Sequence, residues 1–399
     1  MNEEIFAIGL GKADITPEPN GEVLMGFGDP HHRALAIGTR IHARAVVLRD
    51  SAGTSFALAC LEICFITQAV RDEVLRILNT HDSTWTERNV LICATHTHCA
   101  PGGHSHDPLY NLPSGGWYPH VVKAYAEGAA RAIVEAQAHE RPGRIRFAEQ
   151  SFPDHEPVAF NRSLRAWNRN PDVEKFSDGF RNRALDRTMR LFRFESDDGQ
   201  FVGCLNEFAV HCTSVHRDFN LIHADNKGVA AEILERETGK ICIFVQGAAG
   251  DVSPNFQFFR GLREMRGTNR DDLVSVQDNG KIQAQMASRL VSEATEKPAL
   301  TSKIDCAFEY ADLSQTDVDA QDTGGIRGCR TSSGVIGTRA LLGTDEGMPT
   351  GRGLYLAIVW FAKLIRLFSK INPAQGVKLE CLQTGEARLF GFSFKAPMP

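Results

Sequence analysis

The sequence predicts a large mixed α/β domain in which loops at strand ends converge on one site, and three observations carry that reading. Short apolar runs rich in β-formers alternate with segments of helical period. Three of those runs stop at polar residues backed by glycine, proline or another turn former: His96/His98, His211 and Asp251/Ser253. Strand ends are where α/β sheets place ligands, so the recurrence argues for a site. No repeat, linker or low-complexity tract interrupts the 399 residues, which favours a single domain over 1–399.

Composition narrows the class further. A hydrophobic content of 42% supports a sizeable core, and a formal net charge of −5 with both signs interspersed leaves no basic footprint for nucleic acid. The N-terminus carries Glu3 and Glu4 where a secretory signal carries positive charge, and its apolar stretch is short. No export signal is read, and the cytoplasm is the default location. The ten cysteines lie widely spread, several inside apolar runs, with no C-x-x-C pair. They are expected to be buried reduced thiols with a structural role.

The elements follow in order. Ile5 to Leu10 reads as a first strand, and the glycines near it lack the fingerprint and following helix of a phosphate loop. Arg40 to Leu48 and Ser55 to Ile63 form a hairpin across Asp50-Ser51-Ala52-Gly53. Thr67 caps a helix whose apolar face is Val70, Val74, Ile77 and Leu78. Asn89 to Cys93 is a buried strand, and Pro119 opens a long helix carrying Val122, Ala126, Ala129, Ile133 and Ala136. Arg144 to Ala148 is a short strand. Thr188 to Phe194 and Phe201 to Val210 pair across Asp197-Asp198-Gly199. Lys227 to Glu237 is a helix with Asp225 or Asn226 as its cap, followed by a strand at Lys240 to Val245. A helix near Asn279 to Glu296 and a strand near Ile304 to Tyr310 precede a glycine-rich polar loop. Leu354 to Ser369 is apolar but too short and too basic for a transmembrane helix. It reads as a buried core helix, with an amphipathic segment touching a lipid surface as the second reading.

The chemistry centres on Thr95-His96-Thr97-His98 and the Pro101-Gly102-Gly103 that follows. Because side chains alternate faces along a strand, His96 and His98 are expected to point to the same side and to sit side by side at the strand end. Such a pair supplies two nitrogen ligands to zinc, or one ligand and one substrate-facing imidazole; the plainer reading is two surface histidines at a turn.

Several motifs in order resemble the neutral/alkaline ceramidases. They are Gly9 to Thr16 with Met25-Gly26-Phe27; the Thr95 to His98 block with its glycines; and Asn161-Arg162-Ser163 with Asn170-Pro171. Phe208 to Ser214 with Asp225-Asn226-Lys227-Gly228, and Gly250-Asp251-Val252-Ser253-Pro254-Asn255, complete the set. The resemblance implies a large hydrolase-type catalytic domain with a metal site built from strand-end loops. The expected activity is a zinc-dependent amidase that cleaves ceramide, or a related long-chain N-acyl lipid, into sphingosine and a fatty acid. It implies His96 and His211 as Zn2+ ligands, His98 and Arg162 as substrate-facing groups that stabilise an oxyanion, and Ser253 as the nucleophile, with zinc-activated hydroxide as the competing mechanism. A hydrolase of a different N-acyl amide, or a silent homologue or lipid-binding domain, is the alternative.

The resemblance also implies a glutamate ligand, a tyrosine ligand and an immunoglobulin-like domain further on, and no segment between Asn255 and Pro399 matches them; Glu386 has the wrong neighbours. The expectation is a catalytic domain incomplete at its C-terminal end, or a site completed by Glu62, Asp225 or Asp251. With two ligands the pocket would be preorganised but metal-poor, and a strand over Ala387 to Phe394 would present an unpaired edge.

Overall fold

The computed structural model describes residues 5–331, apart from 263, 301, 302, 309, 311–315, 324 and 326, together with 346, 388, 389, 392 and 393. These fall in two compact units, one drawn from 1–259, 265–306 and 385–399, the other from 260–264 and 307–384. Within the second, the strands Asp317–Val318 and Cys329–Arg330 pair antiparallel around the 3-10 turn Ala320–Thr323. Every candidate site residue belongs to the first unit.

The first unit is a mixed α/β structure on one eight-stranded sheet. In chain order the elements are β1 (Phe6–Asp14), β2 (His42–Arg49), β3 (Ser55–Leu61), α1 (Gln68–His81), β4 (Val90–Ala94) and α2 (Pro119–Ala138). Then come β5 (Arg141–Ser151), β6 (Thr188–Ser196), β7 (Phe201–Phe208), α3 (Asp225–Thr238), β8 (Cys242–Gln246) and α4 (Asp272–Glu293). The strand order is β8-β7-β6-β5-β1-β2-β3-β4. All pairings are antiparallel except β3 with β4 and β7 with β8, the two pairs joined through a helix. The chain therefore repeats one pattern twice: three antiparallel strands, a crossover helix, a parallel edge strand and a second helix. Sequence periodicity gave no sign of this repeat.

Three apolar layers follow from strand alternation. Ala43, Ala45 and Val47 of β2 pack against Val70, Val74 and Leu78 of α1 and the alanine-rich face of α2. Met189, Leu191 and Cys204 pack against Ala230 and Leu234 of α3 and Met286 and Leu290 of α4. Between them, Ile8, Val46, Leu48 and Leu58 from one half meet Phe192, Leu205, Ile243 and Val245 from the other. The sheet folds over on itself, and the unit is a four-layer sandwich of helices, half-sheet, half-sheet and helices. The thiol of Cys60 on β3 reaches the Phe244 carbonyl of β8 at 3.5 Å across that middle layer. Gly9 and Gly11 of β1 serve packing: a Cβ at either would lie 1.8 or 2.1 Å from the α2 carbonyl of Ala136 or Ala132.

Most expected elements are present, and the departures have local causes. The α3 helix starts at Asp225 after Ala224, without a side-chain cap. The Asp225 carboxylate faces back to accept from the N–H groups of Ser214, Val215 and Asn226. The α4 helix starts at Asp272, earlier than expected, because the Asp271 side chain caps the Leu273 N–H. The described residues between Ile304 and Tyr310 form no strand, and the Ile304 N–H donates to the Asp50 carboxylate. Over Ala387 to Phe394 the described residues form two short strands, Arg388–Leu389 and Phe392–Ser393, that pair with each other. The apolar segment Leu354 to Ser369 and Glu386 lie outside the described residues. Among the described residues no helix is long and apolar enough to cross a membrane.

Candidate functional site

The site lies where the loop after β4 meets the loop after β7. Thr97 bridges to Cys212 in parallel register, the His98 N–H donates to the Cys212 carbonyl at 3.3 Å, and the Thr97 hydroxyl donates to the His223 carbonyl at 2.8 Å. Strand β4 ends at Ala94, so alternation along a strand is not what aligns the two histidines. His96 instead takes a left-handed backbone, φ +71°, which turns its ring toward that of His98. The rings stand edge to face with centroids 4.8 Å apart. A non-glycine residue in that region costs about 1–3 kcal/mol and persists only where the surroundings over-determine it.

His96 and His211 face each other directly. Their Nε2 atoms are 3.0 Å apart, inside the roughly 4 Å that two zinc–nitrogen bonds can span. The other nitrogen of each ring is committed to a main-chain carbonyl: His96 Nδ1 donates to Cys64 O at 2.6 Å, and His211 Nδ1 donates to Ala249 O at 2.6 Å. Those carbonyls assign the Nδ1–H tautomer to both rings, so two Nε2 lone pairs point at one place. Paired lone pairs repel unless a proton or a cation stands between them. His98 Nε2 lies 3.3 Å from His96 Nε2, which makes three imidazole nitrogens around one small volume. Burial first, then the neighbouring histidines and Arg162, lower the pKa of His98 well below its ordinary value; burial and Arg162 lower that of His211 to about 2. These imidazoles stay neutral, as metal ligation requires.

The donor set fits a metal ion. Nitrogens at about 2.0–2.1 Å from a tetrahedral ion stand about 3.3 Å apart, close to both separations here. Cys64, His96 and His98 stand close enough together to hold an ion, each offering a ligand atom within 4.8 Å of the others. Cys64 was not singled out in the sequence, although it closes the run after β3 just as His96 follows β4. Its thiol is held protonated by burial, and its carbonyl already orients His96.

Comparison with known proteins decides the family. Residues 6–352 match the model of the neutral/alkaline non-lysosomal ceramidase N-terminal region. The chain belongs to the neutral/alkaline ceramidase family. It is 31% identical over 355 residues to the neutral ceramidase of Pseudomonas aeruginosa, covering 88% of this chain and 51% of that protein. To the neutral ceramidase of Mycobacterium tuberculosis it is 32% identical, covering 86% and 54%. Among solved structures, the Pseudomonas aeruginosa neutral ceramidase aligns with a TM-score of 0.76 at 29% identity over 88% of this chain and 55% of that one. A ceramidase complexed with C2 aligns with a TM-score of 0.77 at 28% identity, covering 89% and 55%. The chain thus spans about half the length of the curated relatives it matches.

The remaining candidates on this ceramidase-family chain divide into those that join the histidines and those that do not. Arg162 joins them. The Phe160–Asn161 strand pairs with Val252–Ser253, the Arg162 N–H donates to the Asp251 carbonyl, and the guanidinium donates to His211 Nε2 at 3.0 Å and to Gly250 O at 2.9 Å. Ser253 is fully buried one residue from Val252, whose carbonyl receives the His211 N–H at 3.0 Å. Its hydroxyl accepts from the Asn255 N–H at 3.0 Å, and no imidazole among the described residues hydrogen-bonds it. The three carboxylates have other partners. Glu62 pairs with the buried Arg44 and accepts from the His42 N–H, Asp225 serves the three N–H groups named above, and Asp251 accepts from the Asn161 amide at 2.8 Å. Gly26 and Phe27 carry no sequence signal beyond their place in a motif. In the structure Phe27 stands edge-on to His98 with centroids 4.7 Å apart.

Proposed function

We propose that this chain carries the catalytic centre of a zinc-dependent, hydrolase-type ceramidase, and that its substrate is ceramide or a related long-chain N-acyl lipid. The reading rests on one observation above the others: two imidazole lone pairs, each fixed by a carbonyl behind its ring, converge at 3.0 Å. His96 and His211 would hold the ion, with His98 beside them. Zinc at such a site supplies Lewis acidity, polarising a carbonyl and making water more acidic.

The residues around it have separable tasks. The neutral His98 ring, low in pKa and pressed against Phe27, can donate to or accept from a group on the substrate without carrying charge itself. Arg162 presents a cation beside His211, where negative charge grows as an amide carbonyl is attacked. Ser253 stands close in the chain to the His211 anchor, but among the described residues no base hydrogen-bonds its hydroxyl, which favours activated water over serine as the attacking group. The alternative of a silent or lipid-binding domain draws on one fact, that Glu62, Asp225 and Asp251 are all engaged elsewhere and leave the ion few protein ligands among the described residues.

The test is release of fatty acid from a fluorescent-acyl ceramide by the purified chain, with and without added zinc. Zinc-dependent release that disappears in His96→Ala and His211→Ala is the expected result. Release that survives both substitutions would reject the site, and no release under any metal would favour the silent reading.

A further inference from the structure

We infer that Gln246 is a positioning residue that sets the separation of His96 and His211, an inference that rests on the metal reading above. Gln246 is the last residue of β8, and its side-chain hydrogen bonds go to backbone groups and not to an imidazole. Its side chain behaves as an extra peptide unit. The amide oxygen accepts from the Val210 N–H at 3.1 Å, and the amide nitrogen donates to the Val210 carbonyl at 2.7 Å. The same nitrogen donates to the Thr95 carbonyl at 3.1 Å. Val210 immediately precedes His211, and Thr95 immediately precedes His96. One side chain therefore ties together the two backbone positions from which the facing rings project.

The neighbourhood reinforces the same joint. The fully buried Lys227 donates from Nζ to the Val210 carbonyl at 2.8 Å, and the Cys212 thiol donates to the Thr95 carbonyl at 3.0 Å. Glutamine alone meets the demand at 246: a donor toward two carbonyls and an acceptor toward one N–H, at side-chain length from β8. A glutamate would turn oxygen toward both carbonyls, and a methionine would fill the volume without any hydrogen bond. Partners one step behind metal ligands typically change metal affinity about 10–100-fold when removed.

The experiment measures zinc affinity of the full chain by competition with a chromophoric chelator, for the unmodified chain, Gln246→Met and Gln246→Glu. A parallel series with cobalt records the ligand-field spectrum, which reports coordination geometry directly. Gln137→Met is the control, since Gln137 also bridges two groups, Trp85 Nε1 and the Asp82 carboxylate, far along the chain from the histidines. The expected result is an affinity about 10–100-fold weaker in both Gln246 variants, with an altered cobalt spectrum, and no change in the control. If Gln246→Met does not fold, Gln246→Glu, which keeps the volume and the Val210 N–H bond, carries the test. Unchanged affinity in folded Gln246 variants, or an equal loss in Gln137→Met, would overturn the inference while leaving the metal reading intact. Failure of the unmodified chain to bind metal would overturn both.

Discussion

Replacing Gly26 by alanine should disable the site by pushing the ring of His98 out of place. Gly26 has φ +135°, and a Cβ built there would stand 2.3 Å from Cγ and 2.5 Å from Nδ1 of His98. An ordinary contact begins at 3.4 Å, so the ring must retreat by about 1.1 Å, the difference between 3.4 and 2.3 Å. It has little room, with Phe27 edge-on at 4.7 Å and His96 at 4.8 Å. A misplacement of about 1 Å at a reacting group can lower turnover about 100-fold, equivalent to about 2.7 kcal/mol in the barrier. The strained backbone adds a stability loss of about 1–3 kcal/mol. The assay is kcat/KM on fluorescent ceramide, with urea unfolding in parallel to establish that the variant is folded. A folded Gly26→Ala protein with kcat/KM within about threefold of the parent would refute both the placement of His98 and its part in the reaction.

Three further outcomes are expected. Because the Arg162 guanidinium holds the His211 lone pair that a metal ion would need, Arg162→Met should bind zinc at least as tightly as the parent while kcat falls about 100-fold; weaker binding would contradict that competition. Burial raises the Asp225 carboxyl to about 6 despite the Val215, Asn226 and Ser214 N–H groups that favour its charge. The folded chain then holds this proton more tightly than the unfolded one, so the group's stabilisation is full below about pH 4 and is lost as pH rises through 6, about 3 kcal/mol in all. The unfolding free energy of the parent minus that of Asp225→Asn should fall by that amount between pH 4 and 7, and a flat difference would exclude it. Thr67 caps α1 through Val70 N–H and also donates to the His104 carbonyl at 2.5 Å, so Thr67→Ala should cost about 1–2 kcal/mol by urea unfolding, against no change if the cap is idle.

Local features were the legible ones. The hairpins β2/β3 and β6/β7 announce themselves by a β-rich run, a turn tetrad and a second run, because two strands so joined need no information from elsewhere. Helix α2 was readable from its proline start and alanine spacing, and Val122, Ala126, Ala129, Ile133 and Ala136 are all buried. What failed was decided by distant groups. Asp225 looks like a helix cap, yet three N–H groups, two of them ten and eleven residues upstream, claim its carboxylate. Ile304 looks like the start of a strand, yet its N–H is claimed by Asp50, 254 residues away. Gln246 carries no motif at all, since its meaning depends on two carbonyls contributed by other loops.

The structure brings the histidines together, but the sequence argument for their convergence only partly applies. Strand-end loops gather ligands when the strands lie side by side, but β4 and β7 stand six places apart in the sheet order. At about 4.8 Å per strand, a flat sheet would hold their ends roughly 29 Å from each other. The 3.0 Å between His96 and His211 therefore requires the sheet to fold over, and the force that folds it is burial of the middle apolar layer, Ile8, Val46, Leu48 and Leu58 against Phe192, Leu205, Ile243 and Val245. These residues alternate with those facing the helices, so each of these strands is apolar on both sides, and a sequence reader sees only a continuous hydrophobic run. Folding over also explains why His96 needs its left-handed backbone. The chain leaving β4 must turn at once across the fold to reach the Cys212 carbonyl, where an extended strand would have carried both imidazoles past the facing loop.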